Sequence, residues 1–156
     1  MTENETKAFY LDDVAVGDRY VSQEYPLDTA GIKSFARDFD PQPFHLDEAA
    51  AEESFFGGLA ASGWHTAAIT MRLMVESVPF ADGLIGAGVE LSWPRPTRPG
   101  DALHVVSEIT AVAPSKSKPD RGIVTLQSDT YNQRGEPVQR LVSRLLLFRR
   151  WGERLS

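Results

Sequence analysis

The spacing of apolar residues divides the chain into a helical first half and a strand-rich second half. The stretch from Arg19 to Pro26 predicts a first strand. Asp28 or Thr29 then caps a predicted helix, since both residue types favour that position. The apolar residues of this helix repeat at i, i+3, i+4 and i+7: Ile32, Phe35, Ala36 and Phe39. Alanines at 49–51 predict a short second helix over residues 47–54.

A longer apolar segment predicts a helix that begins with an N-cap at Ser62, runs to Ser77 and is ended by Pro79. Its apolar residues cover most of the helix circumference: Trp64, Ala67, Ala68, Ile69, Met71, Leu73, Met74 and Val75. A helix that is apolar nearly all round is typically a buried one. We therefore expect this helix to lie inside a curved sheet.

The second half predicts four strands, at 84–93, 102–113, 122–132 and 137–149, separated by turns rich in Pro, Gly, Asn and Asp. The first of them alternates, so we expect five residues to share one face: Ile85, Ala87, Val89, Leu91 and Trp93. The last is nearly continuously apolar over 141–148, which predicts cover on both faces and a second subunit on the outer one. One strand, helices and an antiparallel meander together predict an α+β domain.

Composition and charge narrow the class of protein. A chain of 156 residues, 42% apolar and 24% charged, is typical of one globular domain, which we assign to residues 1–156 with a flexible stretch over 1–11. A net charge of −6 argues against nucleic acid as the main partner. No apolar run could cross a bilayer, the first residues lack a secretory pattern, and cysteine is absent, so we expect a cytoplasmic protein without a membrane partner. Five basic residues in two turns could form a local basic rim for an anionic small ligand, but solvated surface charges are the more common interpretation: Arg95, Arg98, Lys116, Lys118 and Arg121.

The first candidate for chemistry is the pair Asp40 and His45, which lies in a predicted loop with prolines at 41 and 43. Each proline fixes its own φ and restricts the residue before it, so the loop is expected to be stiff. Histidine titrates near neutral pH, and a carboxylate beside it can orient water or accept a proton. From the residues alone, Asp40 as a turn former and His45 as a half-buried histidine remain the more common roles.

Gly63 is the second candidate, because it opens the long apolar helix. The first amides of a helix lack intrahelical acceptors, and glycine lets a substrate oxygen approach them. Such an amide would stabilise charge that develops on a carbonyl oxygen. A packing glycine under the Ser62 cap is the alternative. No metal is expected, because the Asp and His residues near 40–65 match no common ligand spacing, and Asp47 suits a helix cap.

The segment Asp40-Pro41-Gln42-Pro43-Phe44-His45-Leu46-Asp47 resembles the motif of the MaoC-like acyl dehydratases, which are relatives of the (R)-specific enoyl-CoA hydratases. Ala61-Ser62-Gly63-Trp64 is similar to the glycine-bearing start of that family's central helix, and residues 94–101 resemble its strand connection. The resemblance spans about residues 12 to 149. It departs from the family pattern at Phe39, where glycine is usual, and at Gln42, where asparagine is usual.

The resemblance implies a hot-dog fold, in which an antiparallel sheet wraps around a central helix, and membership of a family that forms homodimers or higher oligomers. It also implies a carbon–oxygen lyase of fatty acid metabolism that hydrates a trans-2-enoyl thioester, usually on coenzyme A, with no other cofactor. Asp40 and His45 would activate water, and the Gly63 N–H would bind the thioester oxygen. Five further residues are expected to bind the substrate: Gln42, Phe44, Phe56, Ser62 and Trp64.

Two other functions remain open at this point. The same fold supports thioester hydrolysis, in which water attacks the carbonyl carbon instead of C3. A non-catalytic module that binds acyl thioesters, with an inactive Asp–His pair, is the second alternative. Phe55 and Met71 are also candidates to line an acyl pocket, although apolar residues are more often plain core.

Overall fold

The computed structural model describes residues 7–150, which form an α+β domain with short helices before a long antiparallel sheet. The four helices are α1 (Thr29–Phe39), α2 (Pro43–Leu46), α3 (Glu48–Glu52) and α4 (Gly63–Ser77). The six strands are β1 (Arg19–Val21), β2 (Tyr25–Pro26), β3 (Ile85–Ser92), β4 (Ala102–Pro114), β5 (Arg121–Tyr131) and β6 (Pro137–Phe148). The predicted α+β class and the order of elements are confirmed.

The sheet has the strand order β1-β4-β5-β6-β3, and β2 pairs with β4 beyond the end of β1. The three long strands β4, β5 and β6 form its middle, and every pairing is antiparallel. Helix α4 packs its buried face on this sheet and contributes to one continuous apolar core. The loop between α1 and α2 lies at the N-terminal end of α4, where the Ser62 hydroxyl donates to Asp40.

Three helix starts are capped as their sequences predict. The Asp28 carboxylate accepts a hydrogen bond from the N–H of Gly31, and the Asp47 carboxylate accepts from Ala49 and Ala50. Ser62 caps α4 by accepting from the N–H of Trp64. These side chains satisfy amides that have no acceptor inside their own helix, so each cap sets where its helix begins.

The expectation that α4 is buried all round is wrong for the single chain. One face lies in the core: His65, Thr66, Ile69, Thr70, Leu73 and Met74. Trp64, Met71 and Val75 are respectively 61%, 41% and 57% exposed on the other face. The apolar composition of α4 therefore does not predict how much of the helix the sheet covers. Trp64, Met71 and Val75 form an uncovered apolar strip.

The alternation predicted for β3 is interrupted by a β-bulge. The register shifts between Gly86 and Gly88, so that Ile85 pairs with Leu146 whereas Val89 pairs with Ser143. Directly opposed residues of an antiparallel pair point to the same face, and positions 143 and 146 lie on opposite faces of β6. Ile85 and Val89 therefore do not share a face, because one extra residue inverts the pattern.

The last strand is more regular than its composition suggests. Leu145 and Leu147 are buried in the core, whereas Leu146 and Phe148 are only half-buried on the other face. The guanidinium of Arg121 lies 5.0 Å from the ring centroid of Phe148 and covers part of this outer face. The outer face of β6 is therefore partly covered, and the most exposed apolar side chains of the single chain lie on other elements.

Part of the N-terminal stretch from residue 7 onward contacts the rest of the domain. Residues 1–6 lie outside the described residues, but the Phe9 N–H donates to the carbonyl of Pro79 at 2.8 Å and Leu11 is buried in the core. The predicted first strand is split into β1 and β2, because the hydroxyl of Ser22 between them accepts the N–H of Val105 at 2.8 Å. No helix in residues 7–150 is long and apolar enough to cross a membrane.

Candidate active site

Asp40 and His45 are brought together by the end of α1 and the start of α2. Asp40 ends α1, where its N–H donates to the carbonyl of Ala36 at 2.9 Å. The predicted loop from Asp40 to His45 is partly helical, because Pro43 begins a helical turn, a position that suits a residue without an N–H. This turn points the ring of His45 back towards Asp40, with 3.2 Å between His45 Nε2 and Asp40 Oδ2.

The orientation of the His45 ring is fixed on its other side. Its Nδ1 atom lies 2.6 Å from the carbonyl oxygen of Ala60, and the side chain is only 5% exposed. A carbonyl oxygen only accepts hydrogen bonds, so Nδ1 carries the proton and donates it. Nε2 is then the atom that exchanges protons, and it faces the carboxylate.

The carboxylate of Asp40 receives hydrogen bonds from two neutral side chains. The Ser62 hydroxyl donates to Oδ2 at 2.7 Å, and the Gln42 amide nitrogen donates to Oδ1 at 2.6 Å. Burial raises the pKa of Asp40, but these two hydrogen bonds and the nearby His45 outweigh it and hold the pKa below its ordinary value. Asp40 is therefore ionised at neutral pH.

Gly63 lies across from this pair, at the start of α4. As the first residue of the helix, its N–H has no acceptor within α4 and points out of the helix N-terminus. Its Cα is packed against the indole of Trp93, since a Cβ built on Gly63 would lie 2.6 Å from Trp93 Cε2. Glycine is therefore required here by close packing as well as by access to the amide.

A cleft of about 490 Å³ joins these groups. Asp40, His45 and Gly63, the three predicted catalytic residues, all line it, together with four of the predicted substrate-binding residues: Gln42, Phe44, Phe56 and Trp64. Ser62 is fully buried behind the wall, where it supports Asp40. Phe55 lines the cleft, whereas Met71 lies outside its lining. The arrangement can hold a small polar molecule between the acid–base pair and an apolar channel.

Comparison with known proteins agrees with this geometry. The family model described as a MaoC-like domain matches residues 13–132. The chain belongs to the MaoC-like domain family. It is 33% identical over 127 residues to the uncharacterised protein YdeM of Bacillus subtilis (strain 168), with 80% of this chain and 88% of that protein covered.

Two solved structures show how closely the MaoC-like fold is shared. A MaoC-like dehydratase from Rhodospirillum rubrum is 64% identical, with a TM-score of 0.90 over 92% of this chain and 99% of that one. An (R)-hydratase from A. caviae, described as involved in PHA biosynthesis, is 26% identical, with a TM-score of 0.70 over 87% and 98% of the two chains. The expected hot-dog fold is confirmed.

Arg98 supports this MaoC-like site, although its sequence pattern suggested a solvated surface residue. The residue was interpreted as a solvated charge, but its guanidinium donates to the carbonyls of Phe56, Gly58 and Leu59, the last two at 2.8 and 3.3 Å. The neighbouring Ala60 carbonyl is the one that holds His45. Arg98 therefore fixes the segment that carries both Phe56 and the carbonyl bound by the His45 ring.

Trp93 is the second residue that the sequence did not single out for the site. It was assigned only to the apolar face of a strand, yet its indole lies on Gly63 and lines the cleft. Its ring also meets that of Trp64 edge to face, with 5.6 Å between centroids. The only early signal was its place just before residues 94–101, which resemble the family's strand connection.

Proposed function

We propose that this protein reversibly hydrates a trans-2-enoyl thioester to a 3-hydroxyacyl thioester. The observation that carries the proposal is the 3.2 Å approach of His45 Nε2 to an ionised Asp40 in a cleft shared with the Gly63 N–H. The likeness to an (R)-hydratase and to a MaoC-like dehydratase supports the same class of reaction. Coenzyme A, as part of the substrate, is the proposed carrier, and no other cofactor is invoked.

In this proposal Asp40 and His45 act as one unit on a single water molecule. The water oxygen bonds to C3, one water proton passes to the pair, and the pair returns a proton to C2. One water is thereby added across the C2–C3 double bond. Because His45 Nδ1–H is held by a backbone carbonyl, Nε2 presents its lone pair or its proton without any change of ring orientation.

The role proposed for Gly63 is to stabilise the enolate charge that develops on the thioester oxygen. The N–H at the first position of α4 is at the positive end of the helix dipole and has no competing helical acceptor. A preorganised donor of this kind is worth about 10²- to 10³-fold in rate in well-studied acyl-transfer sites. Apolar walls formed by Phe44 and Phe56 exclude bulk water from the acyl group.

An assay with crotonyl-CoA and longer trans-2-enoyl-CoAs tests the proposal. We expect loss of the conjugated enoyl absorbance and formation of 3-hydroxyacyl-CoA, unaffected by a chelator. Release of free coenzyme A thiol without hydration would instead identify a thioesterase. Tight binding of saturated and unsaturated acyl-CoA without any turnover would identify a binding module. Either result would overturn the hydratase.

We further propose that the protein is a homodimer or a higher homo-oligomer built on the uncovered apolar strip. Within residues 7–150, β3 pairs only with β6, so its other edge is open. Val89 on that strand is 64% exposed, and Trp64, Met71 and Val75 form the exposed face of α4. An open strand edge next to exposed apolar residues is a common site of subunit pairing.

A further inference from the structure

We propose that the hydroxyl of Thr97 is a second hydrogen-bond donor to the thioester oxygen, beside the Gly63 N–H. The inference rests on the proposed function, because it concerns the carbonyl group bound in the same cleft. It makes Thr97 a catalytic residue, since its hydroxyl would touch the substrate, and Thr66 a positioning residue that orients this hydroxyl. Thr97 lies in the connection between β3 and β4, and Thr66 lies in the first turn of α4.

The first observation is that Thr97 is bound to residues on both sides of Gly63. The Thr97 carbonyl accepts the N–H of Ala61 at 2.9 Å, and its hydroxyl oxygen accepts the hydroxyl of Thr66 at 3.0 Å. Ala61 comes two residues before Gly63 in the chain, and Thr66 comes three residues after it. Thr97 therefore lies beside the turn of α4 that carries the Gly63 amide.

The second observation is a buried hydroxyl proton without an acceptor in the protein. Thr66 donates its own proton to Thr97 Oγ1, so the proton of Thr97 is not used inside this pair. Within residues 7–150, the side chain of Thr97 makes no other hydrogen bond. Thr97 and Thr66 are only 3% and 1% exposed, and both line the cleft. A buried donor is unfavourable while it stays unpaired, so a ligand oxygen in the cleft is the acceptor that this proton suits.

The chemistry of the cleft favours the thioester oxygen as this acceptor. A carbonyl oxygen has two lone pairs, and in the proposed function the Gly63 N–H takes only one of them. The attacking water gives up protons, so it needs the acceptors that the Asp40 carboxylate and His45 Nε2 provide. A further donor such as Thr97 therefore serves the oxygen on which negative charge develops.

Two other donors beside the first turn of α4 are already used within the protein. The main-chain N–H of Trp64 donates to Ser62 Oγ at 3.3 Å. The indole N–H of Trp93 donates to Gln139 Oε1 at 2.9 Å. The Thr97 hydroxyl, in contrast, keeps its proton available at the same end of the helix.

The position of Thr97 is set by the protein itself. The next residue, Arg98, donates to the main-chain carbonyls of Gly58 and Leu59 at 2.8 and 3.3 Å, which holds the connection that carries Thr97. The hydrogen bond from Thr66 fixes the hydroxyl oxygen, and a β-branched side chain has few rotamers to begin with. A donor that needs no rearrangement stabilises developing charge best, so this hydroxyl should act mainly on the transition state.

Steady-state kinetics with crotonyl-CoA test the catalytic role. Thr97→Val removes the hydroxyl and keeps the branched shape, and we expect kcat to fall about tenfold or more with a smaller change in KM. Thr97→Ser keeps a hydroxyl and should retain most of kcat. Thr66→Val removes only the group that orients the hydroxyl, so its loss of kcat should be smaller. The pH profile of kcat should keep its shape in all three variants, because a threonine hydroxyl does not titrate near neutral pH.

Infrared spectra of bound butanoyl-CoA, isotope-labelled at the thioester carbonyl, measure the hydrogen bond without depending on turnover. A hydrogen bond weakens the C=O bond, so the carbonyl frequency should be higher in Thr97→Val than in the wild type and unchanged in Thr97→Ser. Thr130→Val is the matched control. It removes another fully buried threonine hydroxyl, which lies 2.6 Å from that of Thr70 and outside the cleft lining, and it should change neither kcat nor the carbonyl frequency.

Thermal unfolding shows which variants are folded, and Thr97→Ala takes the place of Thr97→Val in both measurements if the valine variant is not. A folded variant without the Thr97 hydroxyl that keeps either the kcat or the carbonyl frequency of the wild type would overturn the inference. Equal changes in Thr130→Val would also overturn it. A carbonyl frequency that depends on Thr97, in a wild type that does not hydrate crotonyl-CoA, would leave the hydrogen bond established and refute the proposed hydratase.

Discussion

The Nδ1 atom of His45 lies 2.6 Å from the carbonyl oxygen of Ala60, so a main-chain group decides which nitrogen of this ring carries the fixed proton. The opposite nitrogen, Nε2, is left facing Asp40 at 3.2 Å. The geometry thus assigns one nitrogen to orientation and the other to proton transfer. Catalysis should depend on the ring and the carboxylate together.

The first prediction concerns this pair. Asp40→Asn and His45→Gln should each lower kcat for enoyl-CoA hydration by about two orders of magnitude or more, because each removes an acid–base group. The double variant should be little worse than either single one, since groups that act as a unit are not additive. Steady-state kinetics measure both effects. Affinity for a saturated acyl-CoA is the control and should change little, whereas full activity in either single variant would contradict the mechanism.

The second prediction concerns Arg98. The Arg98 guanidinium reaches these carbonyls from two separate nitrogens, and a lysine has only one. Arg98→Lys should therefore lower kcat about tenfold with a smaller effect on KM, as His45 loses its fixed partner segment. In Arg98→Ala, guanidinium at a low millimolar concentration should restore part of kcat. Arg140→Lys is the matched control, because Arg140 is an exposed arginine paired with Asp129. Equal losses in both lysine variants would show that Arg98 has no special role.

The third prediction concerns His65, which is stacked on Phe35 with 4.6 Å between ring centroids and has a buried, unpaired Nδ1. Burial lowers the pKa of His65 below its ordinary value of 6.5. The unfolded chain therefore binds this proton at a higher pH than the folded chain does. The free energy of unfolding should fall as the pH drops from about 6.5 towards the lower pKa that His65 has in the folded protein. The slope is at most about 1.4 kcal/mol per pH unit for one proton.

His65→Phe retains a ring against Phe35 and should flatten that part of the stability profile, as measured by urea unfolding at several pH values. The ring signals of His65 in an NMR titration provide the direct check. A His65 that titrates at or above 6.5 in the folded protein would contradict the assignment.

The fourth prediction concerns the oligomer. Val89→Lys places a charge on the open edge strand and should shift the protein to a monomer of about 17 kDa in analytical ultracentrifugation, as a desolvated lysine would destabilise the interface. Val16→Lys is its matched control, since both valines are 64% exposed in the single chain. A wild type that is monomeric at micromolar concentration, or a dimer unaffected by Val89→Lys, would rule out this interface.

Features that depend on neighbours in sequence were predictable. The caps at Asp28, Asp47 and Ser62 follow from side chains that reach amides two or three residues away, and the helix starts match them. The Asp40–His45 motif was recognisable for the same reason, because the chain between the two residues is short. A local pattern specifies local hydrogen bonds.

Features that depend on distant parts of the chain were not predictable. The glycines at 86 and 88 permit a bulge in β3, but where the register shifts depends on how β3 pairs with β6. The role of Arg98 depends on carbonyls that lie 39 to 42 residues earlier in the chain. Trp93 donates its indole N–H to Gln139, which lies 46 residues later. Composition also failed for α4, since the apolar residues Trp64, Met71 and Val75 stay largely exposed in the single chain.

The contact between Gly63 and Trp93 has a consequence for how this protein can change over evolution. Any side chain at position 63 would collide with the indole, so a first substitution there is expected to be rejected while Trp93 is present. The order of events is therefore constrained: position 93 has to become smaller before position 63 can gain a methyl group. Across related sequences, the two sites should vary as a pair, and an alanine at the first should occur only with a reduced side chain at the second.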